Sequence, residues 1–286
     1  MEIKKVGVVG CGIMGSGIAQ VCAQSGYQVL VSDINEERLN KGLTSIDKTL
    51  AKSVEKGKLS QENKDSILSR IKGFVSANDF SDFSECDLII EAVTEDLGTK
   101  KQVFTMIDEV CPGQTILATN TSTLSVINLA AMTKKSDKVM GMHFFNPAPI
   151  MQLVELVKTI ATSNETIEVG KEFAKSLGKT SVIANDIDGF IANRVTTPFF
   201  LTAVRMVEAN FATAEDIDTA MRLGYNHPMG PLALLDLIGL DTFLRGISSM
   251  YEETKDPQFA PPTLLKKMVA GGWLGRKTGR GFHIYK

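Results

Sequence analysis

Three histidines occur in the chain, and their settings differ. His227 lies in Tyr225-Asn226-His227-Pro228-Met229, a turn, and His283 lies close to the C-terminus. His143 ends an apolar run, Lys138-Val139-Met140-Gly141-Met142-His143, that reads as a strand. An imidazole titrates near neutral pH without large tuning, so it suits taking a proton from an alcohol while a hydride leaves. Glu155 follows in Leu153-Val154-Glu155-Leu156-Val157. A carboxylate in such apolar company is costly to bury without a partner. An imidazolium at the end of a neighbouring strand satisfies it, and the carboxylate in turn holds the ring. The bland alternatives are a histidine bonded to a nearby loop and a glutamate that reaches solvent.

A second group of residues points to a nucleotide. Val6-Gly7-Val8-Val9 runs into Gly10-Cys11-Gly12-Ile13-Met14-Gly15, a G-x-G-x-x-G, and then into a run with helical spacing that Gly26 stops. Gln28 to Asp33 reads as a second strand ending in an acid. Gly10 allows the tight turn, Gly12 lets a pyrophosphate approach the backbone, and Gly15 lets helix and strand pack closely. Ile13 and Met14 complete the loop whose N–H groups, with the helix dipole, attract that pyrophosphate. Asp33 stands where an acid accepts hydrogen bonds from an adenosine ribose. Strand, loop, helix, second strand and acid together make this more than a glycine-rich turn.

Other chemistries fit less well. Ser122 and Asn193 have side chains suited to holding a carbonyl or hydroxyl oxygen. Serine, histidine and aspartate are all present, but no serine lies in a G-x-S-x-G elbow. Cys11, Cys22, Cys86 and Cys111 form no C-x-x-C and have no histidine at metal spacing, so free thiols and no metal are expected.

These residues need a scaffold that puts strand ends together. Strands are expected over Val6–Val9, 28–33, 87–93, 115–120, 138–143, 154–157 and 181–184, alternating with helices. Charged helices over 36–56 and 60–71 read as a hairpin inserted into the winding. Past Asp188 the alternation stops and only helices follow: 190–209, 213–223, 231–246 and 263–270. The expected fold class is α/β: a doubly wound, Rossmann-type parallel sheet with a helical-hairpin insertion over residues 1–187, then a smaller all-α domain over 188–286. In such sheets ligands sit at the carboxyl ends of the strands, where Gly10, Asp33, Ser122 and His143 all fall.

Composition narrows the partners. With 286 residues, 43% hydrophobic, the chain can bury a sizeable core. A formal net charge of −2 gives no reason to expect nucleic acid or a membrane surface. No apolar run approaches the roughly 20 residues of a membrane span. Met1 to Lys5 leads straight into a strand, which leaves no room for a signal peptide, so a cytoplasmic location is expected. Lys48, Lys52 and Lys56 recur at four-residue spacing, which puts them on one helix face. Such rows are often plain solvated faces; this one follows Asp33 and could overhang the cleft mouth.

The motifs resemble those of the L-3-hydroxyacyl-CoA dehydrogenases. The resemblance rests on Gly10 to Ala19, Glu91-Ala92-Val93-x-Glu95, Asn120-Thr121-Ser122-Thr123-Leu124, His143-Phe144-Phe145-Asn146-Pro147 with Glu155, Asp188-Gly189-Phe190-Ile191-x-Asn193-Arg194, Gly230-Pro231 and the tail Gly275 to Phe282. It covers essentially the whole chain, and the free-standing short bacterial members are the most alike. It implies an NAD(H)-dependent enzyme acting on a short-chain (S)-3-hydroxyacyl-CoA/3-ketoacyl-CoA pair. It further implies His143 as the base, Glu155 as its partner, and Ser122 and Asn193 on the substrate oxygens. Glu95, Lys100, Ser122, Asn146 and Lys277 would line the NAD site, CoA contacts would fall on the helical insertion, and the α-helical domain would form a homodimer. The alternatives are a dehydrogenase of free hydroxy or sugar acids on the same scaffold, and a non-catalytic NAD-binding protein.

Overall fold

The computed structural model describes residues 1–285, which divide into two compact units, the first Met1–Ile187 and the second beginning at Asp188. The first unit winds β1 (Lys5–Val9), α1 (Ile13–Gln24), β2 (Gln28–Asp33), α2 (Glu36–Glu55), α3 (Gln61–Ser69), β3 (Ile71–Val75), β4 (Leu88–Glu91), α4 (Leu97–Val110) and β5 (Ile116–Thr119). There follow α5 (Ile127–Ala130), β6 (Val139–Phe144), β7 (Leu153–Lys158), α6 (Asn164–Ser176) and β8 (Thr180–Asn185). The strands form one sheet in the order β3-β2-β1-β4-β5-β6-β7-β8. Central strands β1, β4, β5 and β6 are almost entirely buried and apolar, as strands covered on both faces must be.

All pairings are parallel except β6 with β7. The sheet therefore departs from the wholly parallel reading at one place. A short connection, residues 145–152, joins β6 to β7, and a connection that short permits an antiparallel neighbour rather than a crossover.

β3 is a departure from the helix expected over 60–71, which overruns its first residue. In the structure α3 ends at Ser69, and Ile71–Val75 pairs in parallel with β2 at the sheet edge. Leu39 and Leu43 of α2 pack directly over Gly73. Five residues with Lys72 among them show too little alternation to stand out against the helix before them. Four helix starts in this unit carry side-chain caps. Asn35, Ser60, Asp96 and Ser163 cap α2, α3, α4 and α6, each accepting the N–H three residues on.

The second unit is helical: α7 (Ala192–Glu208), α8 (Ala214–Gly224), α9 (Pro231–Ile238), α10 (Leu240–Thr254) and α11 (Thr263–Ala270). Leu201, Val204, Leu232, Leu235, Leu240, Ile247 and Leu265 are among its core. The single helix expected over 231–246 is two, because Gly239 takes φ of 99°, a conformation that ends a right-handed helix. The four cysteines are free and buried. Burial pushes the Cys11 thiol up to about 12, with the Asp33 carboxylate adding to it.

Candidate functional site

The glycine loop has the shape a pyrophosphate needs. Gly10 turns out of β1 with φ of 96°. A Cβ on Gly15 would stand 1.7 Å from the Gly10 carbonyl oxygen, so only glycine permits this approach. A Cβ on Gly12 would meet nothing within 4 Å; the loop backbone there faces open space. Gly12 is the N-cap of α1 and offers no side-chain cap, which leaves the first N–H groups of that helix to a ligand. Ile13 is 79% exposed beside them, and Met14 is half-buried. Asp33 Oδ2 accepts from Cys11 N at 2.8 Å, and Oδ1 accepts from Ile34 N at 2.8 Å. Each oxygen keeps a lone pair for a ribose hydroxyl. These residues fit a dinucleotide.

A prediction follows from Asp33. A 2′-phosphate at this carboxylate meets like charge and loses the ribose hydrogen bonds, worth about 1–3 kcal/mol. NADH is therefore expected to exceed NADPH in kcat/KM by about tenfold or more, since 1.4 kcal/mol is a factor of ten. Equal kcat/KM for the two cofactors would contradict it.

At the other half of the sheet, His143 and Glu155 stand directly opposite in the antiparallel register of β6 and β7. His143 Nδ1 lies 2.7 Å from Glu155 Oε2. Glu155 is fully buried and His143 is 6% exposed. The Phe145 ring sits tilted against the imidazole, centroids 4.6 Å apart. The contact through Nδ1 gives one ring nitrogen a tautomer-fixing partner.

β5 ends beside this pair. Asn120 Oδ1 accepts from Phe144 N at 2.8 Å, which ties the end of β5 to the end of β6. Ser122 is half-buried just beyond, and its N–H donates to Glu95 Oε1 at 2.9 Å. Thr121 Oγ1 donates to the same oxygen at 2.5 Å. Burial works to raise the Glu95 carboxyl, but the Lys100 ammonium, the Thr121 hydroxyl and the Ser122 N–H outweigh it and hold it below its ordinary value.

Lys100 is 1% exposed. Its Nζ donates to Glu91 Oε1 at 2.7 Å and Oε2 at 3.0 Å, and lies 3.2 Å from Glu95 Oε2. Glu91 also accepts from Val93 N at 2.7 Å and Thr119 Oγ1 at 2.6 Å. Lys100 thus stands beneath Glu95, between two carboxylates. Glu91, Thr121 and Asn120 were assigned no role from sequence. The signal for Glu91 was present: an acid closing the wholly apolar strand Leu88–Glu91 poses the same burial problem as Glu155.

The remaining residues fall as follows. Asn146 is exposed three residues past His143 and precedes Pro147 through a cis peptide. Lys48 and Lys52 are exposed on α2, while Lys56 is the cap residue past its end, so the row is two helical lysines and one terminal one. Asn193 and Lys277 belong to the second unit. Asn193 is the second residue of α7, and Lys277 pairs with Asp241 at 2.5 Å.

Fold and site together define a dinucleotide-binding α/β unit that carries a histidine–carboxylate pair at its strand ends, followed by a helical unit. The model of the 3-hydroxyacyl-CoA dehydrogenase NAD binding domain matches residues 5–187, and that of the 3-hydroxyacyl-CoA dehydrogenase C-terminal domain matches 189–285. The chain is 45% identical over 281 residues to the 3-hydroxybutyryl-CoA dehydrogenase of Clostridioides difficile, covering 98% of this chain and 99% of that one. It is 43% identical over 286 residues to the probable 3-hydroxybutyryl-CoA dehydrogenase of Bacillus subtilis, covering 100% and 99%. The crystal structure of (S)-3-hydroxybutyryl-CoA dehydrogenase from Ralstonia eutropha superposes with a TM-score of 0.95 at 42% identity, covering all of both chains. This chain belongs to the 3-hydroxyacyl-CoA dehydrogenase family, and its first unit is the family's NAD-binding domain.

Proposed function

We propose that the protein interconverts 3-hydroxybutyryl-CoA and acetoacetyl-CoA, with His143 as general acid and base. The observation that carries this is the buried His143–Glu155 pair at the end of β6, in a chain of this family. When bound, NAD(H) accepts or supplies the hydride at C3 of the acyl group. In the oxidative direction His143 Nε2 takes the 3-hydroxyl proton, and in the reductive direction it returns it. Glu155 holds the ring by Nδ1 and offsets the charge the imidazole gains. Ser122 and Asn193 hold the substrate oxygens, and Gly10, Gly12, Ile13, Met14, Gly15, Asp33, Glu95 and Asn146 form the NAD site. Lys100 serves that site from below, through Glu95. Lys277 acts from the second unit. That unit also forms the homodimer, for which its exposed apolar side chains Val195, Phe211, Leu223 and Tyr225 are the support. Four free thiols accord with a reducing, cytoplasmic setting.

The test is NADH oxidation with acetoacetyl-CoA, longer 3-ketoacyl-CoA esters, free acetoacetate and gulonate. Turnover is expected with the CoA esters, acetoacetyl-CoA foremost. Preference for a free acid would favour the hydroxy-acid reading, and NADH binding without turnover of any ester a non-catalytic one.

The lysines supply a separate prediction. Coenzyme A carries a 3′-phosphate and a pyrophosphate, and Lys48 and Lys52 present exposed ammonium groups with no ion pair to a described residue. Exposed contacts of this kind are weak and screened by salt, so Lys52→Glu is expected to raise KM for acetoacetyl-CoA about two- to fivefold. The effect grows at low ionic strength and leaves kcat nearly unchanged, because the contact is equal in ground and transition states. A truncated thioester without the nucleotide should be indifferent to the change. Equal loss with both substrates would mean a plain solvated face.

A further inference from the structure

We propose that Asp186 is a positioning residue for this reaction: its carboxylate fixes the segment that carries Ser122. The proposal rests on the reading of Ser122 as a group that holds the substrate oxygen.

The segment leaves β5 at Asn120 and reaches regular structure only in α5, four residues long. Its N–H groups therefore need partners from elsewhere. Two carboxylates supply them. At the near end Glu95 Oε1 accepts from Thr121 Oγ1 and Ser122 N. At the far end Asp186 Oδ1 accepts from Val126 N at 2.7 Å, and Oδ2 accepts from Ile127 N at 2.7 Å and Ser125 Oγ at 3.0 Å. Between the two, Leu124 N donates to Thr121 Oγ1 at 3.0 Å. Three donors converge on Asp186, the pattern that an ionised carboxylate satisfies. α5 begins at Ile127, and Asp186 accepts N–H groups at its start, which a helix leaves without internal partners.

Asp186 is itself fixed. It follows β8, three strands from β5 in the sheet, and its N–H donates to Lys158 O at 3.0 Å. Val126, fully buried, packs over Gly141 of β6, two residues before His143. The Asp186 end of the clamp thus sets the height of the segment above the strand that carries the base. Ser122 sits at the Glu95 end, and Asp186 holds the other end of the segment, beginning at Ser125 three residues on. Asp186 is also the residue before the end of the first unit, so the connection to the second unit begins at the clamp.

The test is a double-mutant cycle in the full-length protein, with NADH and acetoacetyl-CoA. Asp186→Asn keeps the size but sets an NH2 against one of the two backbone donors. We expect kcat to fall about 10- to 100-fold, the scale of a group displaced by an ångström. NADH affinity is expected to stay within about twofold, and on a Ser122→Ala background Asp186→Asn should change kcat by less than about twofold, because a residue that acts through Ser122 is silent without it. Should Asp186→Asn fold poorly, Ser125→Ala removes a single donor; a smaller loss that likewise vanishes on Ser122→Ala supports the same conclusion. An equal fold-loss on both backgrounds, or wild-type kcat in Asp186→Asn, overturns the proposal. Wild-type turnover in Ser122→Ala removes the reading of Ser122 and the proposal with it. If no CoA ester is turned over by the unmodified protein, amide hydrogen exchange decides. Faster exchange across Ser122 to Ile127 in Asp186→Asn upholds the clamp, and unchanged protection there defeats it.

Discussion

His143→Gln is expected to lower kcat by about 10²–10⁴, the usual share of general acid–base catalysis. The glutamine amide can still donate to Glu155 Oε2, so the buried carboxylate keeps a partner and the strand pair survives. What is lost is a nitrogen that takes and returns a proton near neutral pH. NADH binding should persist, because Gly10 to Gly15 and Asp33 belong to the loop after β1, the start of α1 and the end of β2, with β4 and β5 between them and β6. The measurement is steady-state kcat beside an NADH titration by fluorescence. Near-normal kcat would remove His143 from the mechanism; loss of NADH affinity would point to damage in the fold. Glu155→Gln keeps the shape without the charge and should cost less than the histidine.

Lys100→Met carries the largest expected effect on stability, about 3–5 kcal/mol, the range for removing one member of a buried ion pair. Glu91 is as buried as Lys100, and without the ammonium it keeps its Val93 and Thr119 hydrogen bonds but no opposing charge. Urea unfolding measures the loss, and Lys100→Met with Glu91→Gln should be less destabilised than Lys100→Met alone, because the neutral amide needs no cation. A cost below about 1 kcal/mol would class the pair with exposed ones and defeat the argument. The pH dependence has a definite sign. A carboxyl held below its ordinary value, as Glu95 is, contributes stability at neutral pH that is lost as pH falls through its folded value. Lys100→Met should flatten that acid-side loss.

The sequence made some of this legible and hid the rest for identifiable reasons. Gly10, Gly12, Gly15 and Asp33 are readable because each answers a local demand of the backbone or ligand. His143 and Glu155 are readable because a strand end and a buried charge each limit the possibilities. The direction of β7 is not, since an apolar run carries no arrow. β3 was hidden by its charge and brevity, and the break at Gly239 by apolar spacing that continues across it. The contacts of Asp186 and Asn120 are not legible, because they depend on which N–H groups these residues meet, and sequence spacing says nothing of partners sixty or twenty-four residues away.

The register of β6 against β7 sets where this gene can tolerate change. His143 and Glu155 meet because they are opposed in the ladder, and residues 145–152 between the strands take no part in that alignment. Loop lengthening there leaves the ladder pairing in place, but Phe145 against the imidazole and the carbonyls of Ala148 and Met151, which accept from Lys179, restrict what that connection can become. A one-residue slip of β7 against β6 is different. It shifts the strand by one position, and with a side-chain period of two it turns the carboxylate to the opposite face of the sheet. The apolar neighbours Val154 and Leu156 turn with it, so the error also disturbs the core, and the misaligned chain is removed by its instability rather than persisting as a folded, inactive enzyme.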